Sequence, residues 1–513
     1  MQYLEHAISQ VEAQLASTGA YPVPGGNFNP PPKVARPWGD DSKAFHASHN
    51  PTDSAKELDK ESFKVASATA FTSGIGIPAS VLADLDGIPY KDALLLDTEL
   101  PLPLSANQMK SNPLPHHIHG SDSSLQHRPE PLIPPLDMAK KLFEIYVQII
   151  MPQNPCFFED DIRSHFNAVY FPTGISPPDV SVFMISTVLA ISTMTSKAYD
   201  QKKILFLGES LHQQALRHSK FLSLPSIRSL QGILLLLQLA ELLPYTGNLW
   251  HLAGEAVSLT TELGLHQDPH ESEGFDFKSL DLRRRIFWTV YCLERSTTVT
   301  SYRPFTMRDE HINVAFPSEY EDSSITPEGV LPGGRRSKVQ FLNYVRFRQI
   351  QSEILSVQFF NKELQGQEYP QWVVGMEKRL VDWQQAALAD VEKGPDWFSH
   401  ALWQCYLMLH RPCPRNPTPT ENSIAACFEA AFGLSSGSWE LLKTGYLQYP
   451  FHNAHNGFEA ATVILYGLRY HTMRIRDQYG SRRVIDLIHQ LSGLFVSSTL
   501  ATKRPSYGLF KWY

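Results

Sequence analysis

The chain has 513 residues, with 45 Lys and Arg against 52 Asp and Glu, a formal net charge of −7, and 42% apolar residues. Such a composition supplies a large core but lacks the basic block with which a DNA reader neutralises phosphates. The five cysteines, Cys156, Cys292, Cys405, Cys413 and Cys427, show no C-x2-C spacing, which excludes a cysteine-liganded zinc of the familiar spacings. They read as reduced core thiols of a cytosolic or nuclear protein.

Met1-Gln-Tyr-Leu-Glu-His has neither the basic nor the apolar region of a secretory signal, so export is not expected. Leu4, Ile8, Val11 and Leu15 follow the a/d seam of a coiled coil, with Glu5, Gln10, Glu12 and Gln14 outside it. Residues 1–17 are therefore expected to be a short dimerising helix. Two heptads are marginal alone and need a partner strand or further heptads upstream; a frayed terminal helix is the plainer alternative.

Residues 18–131 are Pro-rich and polar, as in Pro22-Val-Pro-Gly-Gly and Pro30-Pro-Pro, without a sustained period, and are expected to form a disordered linker. Val81-Leu-Ala-Asp-Leu and Ala93-Leu-Leu-Leu are apolar islands inside it. His116, His117 and His119 suggest a metal through their imidazoles, but no carboxylate or thiol stands at ligand spacing beside them.

Order is expected to resume at Pro134-Pro-Leu-Asp137, where two prolines block an upstream helix and Asp137 suits a helix start. Ala139, Leu142, Phe143, Tyr146, Val147 and Ile150 then make an amphipathic stripe. Helices are predicted near 179–198, 201–221, 226–243, 248–263, 279–296, 340–364, 370–391, 396–410, 421–440, 453–475 and 482–500. No segment reads cleanly as a strand, so the expected fold is an all-α domain over residues 132–513. The most apolar run, Ile233-Leu-Leu-Leu-Leu, is interrupted by Gln238 and Glu241, far short of the ~20 residues of a membrane span.

Two segments in the middle carry the densest pattern. Trp250 to Leu263 is apolar almost all round and predicts a helix buried on most sides, with Ala256 inside it and Gly254 admitting a close neighbour. Gly264 between Leu263 and Leu265 predicts a left-handed C-cap, after which His266 leads to Pro269. In the next segment Ser279 is the expected N-cap, followed by Asp281, Arg283, Arg284, Arg285, Phe287, Trp288 and Arg295. At roughly 100° per residue the three arginines cannot share a face. At least one is expected to be buried against a carboxylate, with Glu262, Asp268 and Asp309 as candidates.

In order and spacing, Trp250, Gly254, Ala256, Leu263-Gly-Leu-His266, Arg283-Arg-Arg-Ile-Phe-Trp288, Leu293-Glu-Arg295, Arg303-Pro304 and Phe316-Pro317 resemble the middle homology region of fungal zinc-cluster transcription factors. The likeness extends back to Leu142-Phe-Glu-Ile-Tyr146 and forward to Leu409-His-Arg-Pro412, covering roughly 132–475. Glu294 stands where the family usually has aspartate, Tyr302 where it has glycine, and Ser258 where arginine is frequent.

The resemblance implies a nuclear transcription regulator, not an enzyme, of a metabolic or secondary-metabolite pathway. Its partners would be itself or a related zinc-cluster factor through the N-terminal helix, and the transcription machinery. The family's C-x2-C-x6-C cluster, which holds zinc and reads DNA, is missing. No zinc and no cofactor are therefore expected, and DNA contact is expected only indirectly or through a lost N-terminal region. The heptads beginning almost at Met1 suggest truncation or recent loss. A non-DNA-binding dimerising co-regulator and a small-molecule sensor are the alternative roles, the latter because large helical bundles can keep a ligand pocket.

Rival motifs are weaker. Gly433-Leu-Ser435-Ser-Gly437 matches the G-x-S-x-G of serine hydrolases, with His452 or His455 as partners, but the residues before Ser435 favour helix rather than the required strand. His266 and His270 suggest a zinc pair that Pro269 interrupts. Arg335-Arg336-Ser337-Lys338 is a weak nuclear-import pattern. The tryptophans at 250, 288, 372, 383, 397, 403, 439 and 512 read first as core.

Overall fold

The structure, a computed structural model, describes residues 133–174, 176–195, 201–364, 366, 368–389, 397–443, 449–470, 475, 478–480 and 482–491. The coiled-coil seam of Leu4, Ile8, Val11 and Leu15, the 18–131 linker, the His116 to His119 cluster and Trp512 lie outside the described residues.

The described residues are built from helices, as the periodicity predicts. α1 (Leu136–Ile145) passes into a π turn at Tyr146–Ile150 rather than running on as α-helix. α2 (Glu159–Tyr170) is an element the sequence reading did not separate; three acidic residues occupy its first turn. α3 (Asp179–Thr195), α4 (Gln201–Arg217), α5 (Ile227–Leu242) and α6 (Leu249–Glu262) follow. The two last are capped by Ser226 and Asn248, whose side chains accept from backbone N–H groups of the first turn.

α7 (Phe277–Ser301) is the longest helix described, 25 residues. Its N-cap is Asp276, not Ser279: the Asp276 carboxylate accepts from the Ser279 backbone N–H at 2.8 Å and from its hydroxyl at 2.9 Å. It also runs five residues past the expected end at 296, and there the hydroxyls of Thr297, Thr298 and Ser301 are accommodated by donating to carbonyls four residues back.

After α7 comes a long loop holding a short antiparallel hairpin, β1 (Ile325–Thr326) and β2 (Gly329–Val330), too short to show strand alternation in the sequence. α8 (Val339–Phe359), α9 (Tyr369–Ala389), α10 (Trp397–His410), α11 (Glu421–Lys443) and α12 (Pro450–Tyr470) complete the labelled elements, and residues 482–491 are again helical.

Three clusters of buried side chains form the interior. The first spans α1 to α7 and the start of α8. The second joins the end of α7 at Val299 and Tyr302 to α8, α9 and α10. The third gathers Leu407, α11, α12 and residues from Ile475 to Leu491. α7 and α8 each contribute residues to both of the first two, and α7, about 37 Å long, spans the interior like a beam. No described helix is long and apolar enough to cross a membrane.

Candidate regulatory core

Every residue of α7 from Arg285 to Ser301 is buried. Such a stretch ordinarily excludes charge, yet it holds Arg285, Glu294 and Arg295. Three polar clusters, strung along the helix, satisfy most of these groups.

The first surrounds Arg285, whose side chain is fully buried. Its Nε lies 2.6 Å from Asp281 and its Nη1 donates to Asp322 at 2.7 Å. The face of its guanidinium sits 4.3 Å from the Phe158 ring centre. Lys338 pairs with the same Asp322 at 2.8 Å, and the backbone N–H of Glu159 donates to it at 2.8 Å. Burial and the neighbouring Arg285 hold the Lys338 ammonium below its ordinary range. Two carboxylates and two cations thus fasten the post-α7 loop to α7 and α2.

The other two members of the arginine triplet lie nearer the surface. Arg284 grips Asp268 through Nε and Nη2, the latter at 2.7 Å, and Arg283 donates to the Gly264 carbonyl at 3.1 Å. One arginine is therefore buried, as anticipated, but its partners are Asp281 and Asp322. Among the candidates, Asp268 serves Arg284, Asp309 serves Arg295, and Glu262 lies exposed at the end of α6.

The second cluster surrounds Arg295. Its guanidinium donates to Glu294, to Ser352 Oγ at 3.1 Å, to the Met307 carbonyl at 2.6 Å and to Asp309 at 3.0 Å. Tyr291 and Ser352 also donate to Asp309, at 3.0 and 2.5 Å. Glu294 accepts from the Thr306 backbone N–H at 2.8 Å, so the glutamate in the family's aspartate position reaches across to the loop. Burial opposes the charge on Arg295, but Glu294 and Asp309 more than offset it and raise its affinity for the proton.

The third cluster ties the end of α7 to later helices. His452 of α12 engages Glu241 of α5 at 3.0 Å, Ser296 at 3.3 Å and Thr300 at 2.9 Å. Arg348 of α8 donates to Ser296 at 2.8 Å. At the helix end Tyr302 is left-handed, φ 50°, and Pro304 follows. This conformation explains why glycine is the family's usual residue there. The Tyr302 hydroxyl donates to Glu459 at 2.5 Å, and Arg411 pairs with Glu459 while lying 4.1 Å from the Tyr302 ring centre. The Arg411-Pro412 turn noted in the sequence is thus anchored to the end of α7.

The remaining motif residues divide between core and surface. Ala256, Phe287 and Trp288 are buried, and Trp288 Nε1 donates to the Ala315 carbonyl at 2.9 Å. Gly264 forms the expected cap at φ 63°, with Leu265 donating back to Thr260 at 2.9 Å. Trp250, by contrast, is 39% exposed, with the Arg303 guanidinium 4.8 Å over its ring. Gly254 on the same face meets open space. The expected close helix approach at Gly254 is therefore not made, and this face of α6 is not core. Trp288, Trp372 and Trp383 are buried as read.

The hydrolase pattern dissolves. Gly433, Ser435 and Gly437 lie inside α11, where Ser435 Oγ donates to the Ala431 carbonyl at 2.8 Å, and no strand-to-helix elbow exists there. A Cβ built on Gly433 would stand 2.6 Å from the Trp403 indole, so this glycine serves helix packing. His270 caps the turn Glu271–Glu273. Of the basic tetrad, Lys338 is buried and Arg336 clasps Glu319 at 2.6 Å, while the Arg335 side chain is 81% exposed. All five cysteines are buried, and burial pushes the Cys156 thiol up to about 12. Among the described residues no group of three His, Cys, Asp or Glu is placed to hold a metal.

The family model of the fungal specific transcription factor domain matches residues 143–385, from α1 into α9. Over these residues the chain is similar to that domain. Similar proteins include the positive regulator of purine utilization of Emericella nidulans, 25% identical over 397 aligned residues covering 58% of this chain and 37% of that protein. The pyrimidine pathway regulatory protein 1 of Saccharomyces cerevisiae is 26% identical over 283 residues, 50% of this chain and 30% of that one. The ABC-transporter-regulating transcription factor of Aspergillus fumigatus is 24% identical over 274 residues, 50% of this chain and 29% of that one. The chain thus spans about a third of the length of the curated relatives it matches. The matched span holds the Arg285 and Arg295 clusters entire, whereas His452, Arg411 and Glu459 bind α7 from beyond it.

Proposed function

We propose that the chain is a nuclear transcription regulator of metabolic genes, acting through a helical module over residues 132–513. The observation that carries this reading is the transcription factor domain at residues 143–385, whose α7 arginines form its buried frame. Relatives named as regulators of purine utilization, of the pyrimidine pathway and of ABC transporters favour target genes in metabolism or efflux. In this reading residues 1–17 pair with a like helix, 18–131 tether, and the module restrains or recruits the transcription machinery.

In this reading the residues present reach DNA indirectly, through a partner or through a DNA-reading segment outside them, because they include neither a zinc-cluster spacing nor a basic block. A gel-shift and sizing experiment on the purified chain, with and without a related zinc-cluster factor, tests it. The chain should run as a dimer, leave DNA unshifted alone and join the relative's DNA complex. Specific DNA binding by the chain alone, or a monomer that joins nothing, would contradict this mode.

A further inference from the structure

A helix covered by its protein on one side needs a single apolar stripe. In α1 and the π turn after it, Ala139, Phe143, Tyr146, Val147 and Ile150 supply that stripe and are buried. A second stripe runs beside it: Met138, Leu142, Ile145 and Ile149 recur at spacings of four, three and four. Leu142 and Ile145 lean on the core and are half-buried, while Met138 is 46% and Ile149 56% exposed. Exposed apolar residues scattered singly need no explanation, but a row at this spacing is the seam along which one helix packs on another.

The same chain carries a matching seam. Leu4, Ile8, Val11 and Leu15 repeat the spacing of four, three and four, and two heptads are too short to hold a helix in water without a partner strand. Charge agrees as well: residues 1–17 hold Glu5 and Glu12 with no Lys or Arg, and α1 exposes Lys140 and Lys141. Set parallel, Met138 meets Leu4, Leu142 meets Ile8, Ile145 meets Val11 and Ile149 meets Leu15, and Lys141 on the flank of the seam then faces Glu12, where coiled coils place their ion pairs. Set antiparallel, the same lysine faces Ala7 or Gln14 and gains no ion pair. The 120 residues between Leu15 and Leu136 are more than enough chain to close the pair within one molecule.

We infer that the exposed stripe of α1 is the docking site of residues 4–15 of the same chain, seated as a parallel helix. Seated there, the seam is closed to a like helix, so pairing between copies has to displace α1. Docking itself does not depend on the regulatory reading; its effect on pairing between copies rests on the dimerising role proposed for residues 1–17.

The experiment uses the full chain, whose own five cysteines are buried, with Val11→Cys and Ile145→Cys introduced together. Mild oxidation should give a disulfide within one chain, located by mass spectrometry after digestion, and Val11→Cys with Lys140→Cys, on the far side of α1, should not. Lys141→Glu should lower the yield at least threefold, and adding Glu12→Lys should restore it. Met138→Glu with Ile149→Glu, two exposed positions, should move the monomer–dimer midpoint to at least tenfold lower concentration. Absence of the disulfide within one chain, equal linking to position 140, or a yield that ignores the charge swap would overturn the docking. Links only between copies would overturn it too, through position 11 in favour of the like helix and through position 145 in favour of α1 against α1. A within-chain link with an unchanged dimer midpoint would overturn the competition alone, and a chain that stays monomeric in every variant would count against the dimerising role and not against the docking.

Discussion

The Tyr302 hydroxyl donates to the Glu459 carboxylate at 2.5 Å, fastening the left-handed end of α7 to α12 across 157 positions of sequence. Tyr302→Phe removes that donor and should cost about 1 to 3 kcal/mol, the range for leaving a buried acceptor short of a partner. Tyr302→Gly relieves a left-handed backbone worth about 1 to 2 kcal/mol but empties the space of a buried ring, worth about 3 to 5 kcal/mol. It should therefore also destabilise. Urea denaturation of both variants checks this; a stabilised glycine variant would mean that backbone strain dominates at this position.

The arginine triplet should divide sharply by burial. Arg285→Met leaves Asp281 and Asp322 with Lys338 in place of two cations, and should lose about 3 to 5 kcal/mol. Arg284→Ala breaks a pair that is 21% and 25% exposed and should lose about 1 kcal/mol. Thermal melts that rank the two equally would show that the Arg285 cluster does not hold the loop.

Two glycines should answer alanine with opposite signs. Gly433→Ala drives a methyl into the Trp403 indole and should destabilise by about 1 to 3 kcal/mol. Gly254→Ala adds a methyl in open space inside α6 and should stabilise by about 0.5 to 1 kcal/mol through helix propensity. Midpoints of chemical denaturation that shift in the same direction would contradict this assignment.

Acid should unfold the domain through buried histidines. Burial holds His212 and His400 at about 4, below the ordinary histidine range. The unfolded chain binds more protons between pH 6.5 and 4, so the stability present above pH 6.5 is lost as pH falls through that window. Each histidine contributes up to about 3 kcal/mol to the loss. A double variant, His212→Gln with His400→Gln, should show a shallower fall in denaturation midpoint from pH 7 to 5; an unchanged slope would place the acid sensitivity elsewhere.

Most helices were legible from apolar residues recurring at helical spacing, and the Gly264 cap because glycine between two leucines suits a left-handed helix end. What escaped the sequence reading was pairing over long distances. Asp322 lies 37 positions from Arg285, and only folding brings the loop back over α7. The extension of α7 to Ser301 was hidden because a Ser and Thr run resembles a helix end until its hydroxyls find carbonyls one turn back. Trp250 misled in the other direction: a tryptophan in an apolar run reads as core, while here it shelves Arg303 at the surface. Tyr302, by contrast, stood out as a departure from the family's glycine, and the positive φ gives that departure a physical meaning.

Regulatory output is the central claim, and a tethered reporter tests it most directly. The full chain, fused to a heterologous DNA-binding domain in a fungal host, should change reporter transcription relative to the DNA-binding domain alone, and Arg285→Met should abolish the change. A fusion expressed at equal level that leaves transcription at the control value would contradict it.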